Sequence, residues 1–234
     1  MKIAAVTDIH GTANWRAVID MVDKFDKIIF LGDYFDSWTN KWPDQINNAS
    51  NIFTFKKNFP EKIDLCWANH DTSYYLDERC SGYQYDYALE IRDFFKKQKD
   101  LLEVVYIYDN WIFSHGGISE KWMSCAGAKT PEQINKLFKD RPDYFRWVGP
   151  DGYGNNPNEG PLWIRPESLL KNAVKNYNQV VGHTELQDGP KTISKNKLIY
   201  VFTDTGRHNF LTMINTKTNK VSFSDIEQLT SVQK

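Results

Sequence analysis

The chain of 234 residues carries a formal net charge of −1, with 41% hydrophobic and 25% charged residues. These values fit one globular domain with a substantial core, and they exclude a disordered or fibrous chain. The 29 basic residues do not outnumber the 30 acidic ones, so we expect no extended nucleic-acid-binding surface.

The first part of the chain alternates between predicted strands and helices. Short apolar runs predict buried strands, and apolar residues at helical spacing predict the helices between them. This alternation is typical of a parallel sheet with crossover helices. The predicted elements are a strand at residues 3–7, a helix at 15–25 with Thr12 as its N-cap, a strand at 27–31, a helix after Pro43, a strand at 63–67 and a helix at 85–97.

The second part of the chain is richer in strands. Residues 149–160 are rich in Gly, Pro and Asn, and they predict either an active-site flap or a disordered tip. Together the elements predict a single α/β domain over residues 1–234, with its strands divided between two sheets. The predicted elements here are strands at 102–108 and 111–114 joined by a tight turn, a short helix at 131–139, and strands at 179–181, 198–203, 211–215 and 220–224.

The short apolar stretches and the pattern of cysteines predict the location of the protein. The apolar run at residues 3–6 is too short for a signal peptide, and no stretch approaches the roughly 20 apolar residues that span a bilayer. Cys66, Cys80 and Cys125 are odd in number and form no C-x-x-C pair, which favours reduced structural thiols. We therefore expect a cytoplasmic protein that does not engage a membrane.

The histidines are the most informative residues, because four of the five directly follow predicted strands beside Gly, Asp or Asn; the fifth, His208, is predicted to lie in a surface loop. Ligands of open α/β sheets bind outside the carboxyl ends of strands, so we expect these segments to converge. Carboxylate and imidazole groups together suit Mn, Fe or Zn. The segments are Asp8-Ile9-His10-Gly11, Gly32-Asp33-Tyr34-Phe35-Asp36, Asn69-His70-Asp71, Ser114-His115-Gly116-Gly117 and Gly182-His183-Thr184.

In this order the five segments resemble the signature of the calcineurin-like metallophosphoesterase superfamily, over residues 8–184. The His-Gly-Gly block at 115–117 and the acidic stretch at 182–189 resemble the phosphoprotein phosphatase branch. Residues 162–165 and 204–206 resemble bacterial and bacteriophage lambda-type protein phosphatases and symmetrical dinucleoside-tetraphosphatases. The resemblance implies a four-layer α/β/β/α sandwich of two mixed β-sheets.

The same resemblance implies a centre of two divalent metal ions. Manganese is the expected metal, with Fe, Zn, Ni or Mg as alternatives. Asp33 is expected to bridge the two ions. The implied ligands are Asp8, His10 and Asp33 for the first ion, and Asp33, Asn69, His115 and His183 for the second.

A second group of residues is implied to act on the substrate. His70, oriented by Asp36, is expected to protonate the leaving group. Arg165 is expected to hold the phosphate oxygens by a bidentate contact, beside Asn69 and His70. The implied reaction is hydrolysis of a phosphomonoester by direct attack of a metal-bridging hydroxide, with no phosphoenzyme intermediate.

Three positions depart from the pattern. Ala68 replaces the usual Gly before Asn69, a change expected to constrain only the local turn. Ser37 stands where phosphoprotein phosphatases carry an Arg, so one phosphate contact is missing. Glu185 stands where many phosphodiesterases and nucleases of the superfamily have a second His, which argues against those branches.

The expected function is therefore that of a Ser/Thr protein phosphatase or of an enzyme acting on small phosphoesters, with a phosphopeptide or small phosphoester as its partner. The first alternative is a nucleotide or dinucleoside-polyphosphate hydrolase, or a phosphatase of nucleic-acid ends. A less favoured alternative is a non-catalytic interaction module of the same fold. The sequence alone does not fix the substrate.

Overall fold

Eleven strands and seven α-helices build the part of the chain that the computed structural model describes, which is residues 1–149, 154–206 and 210–226. The strands are β1 (Lys2–Val6), β2 (Lys27–Phe30), β3 (Ile63–Cys66), β4 (Leu102–Glu103), β5 (Val105–Tyr108), β6 (Trp111–Ser114), β7 (Asn178–Val181), β8 (Lys191–Lys195), β9 (Leu198–Phe202), β10 (Phe210–Asn215) and β11 (Lys220–Asp225). The helices are α1 (Arg16–Ile19), α2 (Trp42–Asn58), α3 (Asn69–Tyr75), α4 (Ala88–Gln98), α5 (Glu120–Ala126), α6 (Ile134–Asp140) and α7 (Pro166–Asn172).

The strands form two mixed sheets. The first has the order β11-β10-β1-β2-β3-β4, in which β1 to β4 are parallel and β10 and β11 are antiparallel additions. The second has the order β5-β6-β7-β9-β8, with a parallel centre of β6, β7 and β9 between two antiparallel edges. The parallel centres matter for function, because their strands end together at one edge of each sheet.

Alternating side chains divide the core into layers. Ile3 and Ala5 of β1 are buried between the sheets, in one cluster with Phe113 and Val180 of the second sheet. The intervening Ala4 and Val6 of β1 pack on the other face, in a cluster that includes side chains of α2 and α4.

The second sheet repeats the alternation. On its outer face, Val181 and Phe202 pack against Leu169 of α7. The order of layers is helix, sheet, sheet, helix, which confirms the four-layer α/β/β/α sandwich.

The helix expected over residues 15–25 is wrong. The structure has the single turn α1 and a 3₁₀ turn at Val22–Lys24, and the backbone at Met21 leaves the helical region with φ −111°. Thr12 is not a helix cap, since Trp15 occupies the N-cap position. Val18 and Phe25 are buried as the spacing required, so the pattern reported burial rather than one continuous helix.

Two strand predictions also need correction. The strand expected at 102–108 is broken at Val104, because β4 belongs to the first sheet and β5 to the second. The chain crosses between sheets there, with Val104 fully buried. The strand β8 was not predicted, because it lies at a sheet edge and its mostly exposed residues show no apolar pattern.

Every helix of the described ranges is too short or too polar to cross a membrane.

Of the loop at 149–160, the structure describes residue 149 and residues 154–160. Residues 150–153 lie outside the described residues, as does His208. Residues 154–160 are anchored, since Glu159 is fully buried and the Ser119 hydroxyl donates to the Pro157 carbonyl at 2.6 Å. The Gly154 carbonyl accepts a hydrogen bond from the Arg165 backbone N–H at 2.9 Å. Residues 154–160 are therefore not a disordered tip, and Gly154 holds the backbone of Arg165 through this hydrogen bond.

Candidate metal centre

The candidate site lies where strand ends from both sheets meet. β1, β2 and β3 end at one edge of the first sheet, and β6 and β7 end at the facing edge of the second. Loops that leave these ends surround a cavity of about 530 Å³. The residues expected at the site that line this cavity are Asp8, His10, Asp33, Asn69, His70, Arg165 and His183, whereas His115 is fully buried.

The backbone at these strand ends is left-handed at residues other than glycine. The φ angles are 49° at Asp8, 41° at His10, 58° at Asp33, 65° at Asp36 and 68° at His183. Such conformations are uncommon and cluster at functional sites, where the surrounding structure holds them in place. These five residues lie in sharp turns that follow a strand and present a polar side chain.

Asp33 lies at the centre of the group. Its Oδ2 atom is 3.6 Å from Nε2 of His10 and 3.5 Å from Nε2 of His115, so one carboxylate oxygen stands between two imidazoles. Burial alone would raise the pKa of Asp33, but the surrounding histidines, His115 first, lower it to about 2. Asp33 is therefore an ionised carboxylate, positioned so that it could contact two cations at once.

Three histidines are oriented by backbone carbonyl oxygens. Nδ1 of His10, Nδ1 of His115 and Nε2 of His183 each lie 2.9 Å from such an oxygen, which fixes the ring and leaves the other nitrogen for a ligand. Burial lowers the pKa of His115, and it lowers that of His183 well below the ordinary value, so both are neutral and able to bind a metal. The carbonyl oxygens belong to Phe35, Leu31 and Trp163 respectively.

Asn69 and Asp8 complete the group. Oδ1 of Asn69 is 2.7 Å from Nε2 of His115. The carboxylate of Asp8 accepts hydrogen bonds from the Thr7 hydroxyl and from the backbone N–H of His183, the latter at 3.2 Å. The pKa of Asp8 is raised well above its usual value, first by burial and then by the charges of Asp204 and Asp33.

These donors fit divalent cations. Asp33 belongs to two sets of three residues, and within each set the ligand atoms lie within 4.8 Å of one another. The sets cut across the expected partition, because His70 joins His10 and Asp33 in one, while Asp8 and His115 join Asp33 in the other. The charges of Asp204 and Asp33 raise the pKa of the buried Asp8, so a divalent cation is strongly favoured among these carboxylates. The mixture of O and N donors suits a transition metal.

Close approach of the two sheets depends on Gly182. A Cβ atom at this position would collide with the Thr7 hydroxyl and the Asp8 carboxylate. Any larger residue would therefore push His183 away from Asp8. The Gly before the His is required by this contact between strand ends, rather than by its own backbone angle.

His70 and Asp36 form a buried pair beside the centre. His70 Nδ1 lies 2.7 Å from Asp36 Oδ2, and the Tyr74 hydroxyl donates to the other Asp36 oxygen. Burial would lower the pKa of His70, but the Asp33 charge and the Asp36 hydrogen bond raise it well above its usual value. The imidazole is therefore held protonated at the edge of the cavity.

The Ala68 departure has a steric explanation. Ala68 has φ −127°, an extended conformation that any residue adopts, so no glycine is needed there. Gly32, with φ +98°, packs so closely on Ala68 that a Cβ at residue 32 would overlap the Ala68 methyl group. Glycine is thus required at residue 32 and dispensable at residue 68.

Sequence reasoning did not identify several residues of the cavity wall as parts of the site. Asp204 lies two residues beyond the end of β9 and is buried, which raises its pKa to about 6, so the strand-end rule would have found it. Trp38 is 66% exposed at the cavity mouth, with its ring centroid 5.1 Å from that of His10. Cys80, half-buried beside His70, had no signal in the sequence at all.

Comparison with known proteins assigns the family. The model of the calcineurin-like phosphoesterase family matches residues 1–215. A protein serine/threonine phosphatase from Saccharomyces cerevisiae, described as similar to human phosphatase PP5, superposes with a TM-score of 0.59 at 16% identity, over 96% of this chain and 80% of that one.

A second solved structure, described as a putative diadenosine tetraphosphatase, gives a TM-score of 0.52 at 13% identity, over 96% of this chain and 93% of that one. At these identities the likeness concerns the fold alone. A search of curated proteins finds no match. By the family match over most of its length, the chain belongs to the calcineurin-like phosphoesterases, a family of phosphoric ester hydrolases.

Proposed function

We propose that the protein hydrolyses phosphomonoesters with the help of two divalent metal ions, manganese being the first choice. The single observation that carries the proposal is Asp33, whose ionised carboxylate lies within 3.6 Å of two imidazoles from different sheets. When bound, the two ions supply a water of lowered pKa and positive charge that stabilises the phosphate in the transition state. The three free cysteines fit the expected cytoplasmic location.

The ligands that we propose are those at the strand ends. Their hydrogen bonds support the assignment, since His10, His115 and His183 each have one ring nitrogen held by a backbone carbonyl oxygen, which leaves the other nitrogen to face the proposed ions. The Nε2 atom of His115 faces Asp33 and Asn69, which are proposed ligands of the same ion. Asp33 is the bridging ligand in this proposal. The complete set is Asp8, His10 and Asp33 for one ion, and Asp33, Asn69, His115 and His183 for the other.

His70 is proposed to be the general acid. The 2.7 Å contact with Asp36 fixes the ring, so that Nε2 carries the proton that the departing alkoxide needs. Its raised pKa supports this role, because an acid must be protonated before the reaction begins. Asp36 itself lies behind His70 and acts by positioning it.

Arg165 is proposed to bind the phosphate oxygens. The residue lines the cavity, its backbone N–H is held by Gly154, and its Nη1 atom lies 3.4 Å from the Thr184 hydroxyl. A guanidinium can make two parallel hydrogen bonds to one phosphate, which a lysine cannot. Asn69 and His70 would complete the phosphate pocket from the opposite wall.

A second candidate, hydrolysis of nucleotides or dinucleoside polyphosphates, is favoured by the aromatic rim. Trp38, which is 66% exposed, and Trp163 both line the cavity, and the ring of Trp147 lies 6.2 Å from that of Trp163. Exposed aromatic rings can stack on a nucleobase, a contact worth about 1–3 kcal/mol per base. Phosphopeptides do not require such a rim.

A substrate panel separates these candidates. The metal-loaded protein is assayed on a phosphopeptide, p-nitrophenyl phosphate, bis(p-nitrophenyl) phosphate, diadenosine tetraphosphate and a 5′-phosphorylated oligonucleotide. We expect the monoesters to be hydrolysed and the bis-ester to be spared. Preference for the tetraphosphate would favour the second candidate, and activity on no ester by a protein that binds metal would favour the interaction module.

A further inference from the structure

The pair formed by His70 and Asp36 has a third neighbour that the proposed reaction does not use. The Cys80 sulfur lies 3.5 Å from His70 Nδ1 and 3.6 Å from Asp36 Oδ2. A thiol, an imidazole nitrogen and a carboxylate oxygen therefore form a triangle, with ligand atoms within 4.8 Å of one another. None of these three side chains belongs to the ligand set proposed for the two metal ions.

The spacing of this triangle matches tetrahedral zinc. With Zn–S of about 2.3 Å and Zn–N or Zn–O of about 2.1 Å, tetrahedral angles place the sulfur about 3.6 Å from the other two ligands. The measured sulfur distances of 3.5 and 3.6 Å agree with this value. Only the 2.7 Å edge between His70 and Asp36 would have to lengthen, which requires a small rotation of the imidazole.

We propose that Cys80, His70 and Asp36 form a second, inhibitory binding site for a soft divalent cation, represented by Zn²⁺. A thiolate ligand selects zinc over manganese or magnesium, so the site would not compete for the ions of the centre. The fourth position is filled by water from the cavity, whose wall includes the neighbouring Ser81.

The hydrogen bonds that Asp36 receives from Tyr74 and Gln84 leave its Oδ2 atom available to bind a cation. Tyr74 and Gln84 direct their donors to Oδ1 of Asp36, the Gln84 amide at 3.4 Å. Oδ2 faces only His70 and Cys80 among the described residues. A cation bound at Oδ2 would therefore keep the hydrogen bonds from Tyr74 and Gln84 and replace only the contacts of Asp36 with His70 and Cys80.

Inhibition follows from that replacement, and this step rests on the proposed function. The bound cation takes the Nδ1 atom that Asp36 otherwise holds, and the Nδ1 proton and the Cys80 thiol proton pass to solvent. His70 thereby changes from an imidazolium to a neutral, metal-bound imidazole, which is a much weaker acid toward the leaving group. Substrates that need the proton most should be inhibited most. Binding itself does not depend on the reaction, and the two claims are tested separately.

Binding is tested with cobalt as a spectroscopic substitute for zinc. Protein loaded with manganese is titrated with Co²⁺, and the near-ultraviolet absorption of a cobalt–thiolate bond is recorded. We expect the band in the wild type and in Cys125→Ser, which removes an exposed thiol remote from the site, and its loss in Cys80→Ser. No band in the wild type, or a band that persists in Cys80→Ser, overturns the site.

A second measurement does not depend on any variant folding. Alkylation of the wild-type thiols is followed by peptide mass spectrometry, with and without zinc. Zinc should protect Cys80 and leave the exposed Cys125 as reactive as before. Equal labelling of Cys80 in both samples would overturn the proposal.

Inhibition is tested by zinc titration at fixed, saturating manganese, with each variant normalised to its own zinc-free rate. Loss of even an outer-shell partner lowers metal affinity about 10–100-fold, so Cys80→Ser should raise the inhibitory zinc concentration at least about tenfold. Equal inhibition of wild type and variant would overturn the regulatory role. If the protein hydrolyses no ester, the cobalt band still decides whether the site exists.

Discussion

His70 Nδ1 and Asp36 Oδ2 are 2.7 Å apart, and both side chains are buried, His70 in the wall of the cavity that Asp33 also lines and Asp36 next to it. The contact joins two turns, one after β2 and one at the start of α3, that lie far apart in the sequence. It holds the His70 imidazole at the edge of the cavity, in surroundings that raise its pKa, and it hides the Asp36 carboxylate from solvent. The proposed protonation of the leaving group therefore depends on two residues that come together only in the folded chain.

Removing this acid should affect substrates unequally. His70→Asn is expected to slow hydrolysis of an alkyl phosphate about 10²–10⁴-fold, the usual value of positioned proton transfer. An aryl phosphate such as p-nitrophenyl phosphate, whose leaving group needs little protonation, should lose far less. Rates of both substrates are compared with Tyr74→Phe, which removes a hydrogen bond to Asp36 but keeps the acid. Equal losses on the two esters would remove His70 from this role.

Replacing the central carboxylate should cost both metal and activity. Asp33→Asn removes the charge that lies between His10 and His115, so bound metal should fall and activity should drop to the background rate. Metal content is measured by mass spectrometry after dialysis. Asp23→Asn, at a carboxylate that is 95% exposed, serves as the control. Full activity after exhaustive chelation of the wild type would contradict the requirement for metal.

Arg165 should contribute to phosphate binding because its planar guanidinium group can make two parallel hydrogen bonds to one phosphate. Arg165→Lys keeps the charge but loses the bidentate contact, and Arg165→Ala loses both. Hydrogen bonds to charged groups contribute about 1.5–3 kcal/mol, so kcat/KM should fall about 10–100-fold in the alanine variant and partly recover in the lysine variant. Identical kinetics of all three proteins would place Arg165 outside the substrate site.

A pair of glycine substitutions separates backbone strain from collision. Gly32→Ala should destabilise the protein by about 2–4 kcal/mol, from left-handed strain and from overlap with the Ala68 methyl group. Gly189→Ala has a similar φ of +91°, and no described atom lies within 4 Å of its added methyl, so it should lose only about 1–2 kcal/mol. Adding Ala68→Gly to Gly32→Ala should recover the steric part. Denaturant unfolding measures each value, and equal losses for the two single variants would contradict the collision.

The buried Glu159 predicts a pH-dependent stability. Burial raises its pKa from 4.5 to about 7, although the Val148 N–H acts in the opposite direction, and its Oε1 atom has no hydrogen-bond partner among the described residues. The folded state holds the Glu159 proton more tightly than the unfolded state does, so protonation of Glu159 stabilises the fold. This stabilisation is full below pH 4.5 and is lost as pH rises to about 7.

The free energy of unfolding of Glu159→Gln relative to wild type should therefore rise by up to about 3 kcal/mol between pH 4.5 and pH 8. Urea unfolding at several pH values, at constant metal concentration, measures the change. Glu167→Gln, at an exposed glutamate on α7, is the control and should show no such rise. A flat difference for Glu159→Gln across this range would mean that Glu159 titrates normally.

The sequence predicted which polar residues lie together better than it predicted the elements around them. Asp8, Asp33, Asn69, His115 and His183 were expected in one place because parallel strands end at one edge, so a local pattern implied a shared location. The helix at 15–25 failed because burial of Val18 and Phe25 can be satisfied by two short turns as well as by one helix.

Other features could not be read from the sequence, because they depend on contacts between distant segments. Cys80 reaches His70 through the fold of a loop without periodicity, and the crossing at Val104 depends on which sheet each half of a strand joins. Strand β8 is polar because its edge faces solvent, which removes the apolar signal. Short-range patterns therefore revealed the chemistry at strand ends but not the partners that surround it.

The division of the proposed ligands between the two sheets also has a mechanical consequence. Asp8 and Asp33 are carried by the first sheet, and His115 and His183 by the second, so ions shared among them would cross-link the two sheets. Since ligands that bind only the folded state stabilise it, chelation should lower the melting temperature as well as the rate. Sliding of one sheet over the other would then be resisted by the same ions that activate water.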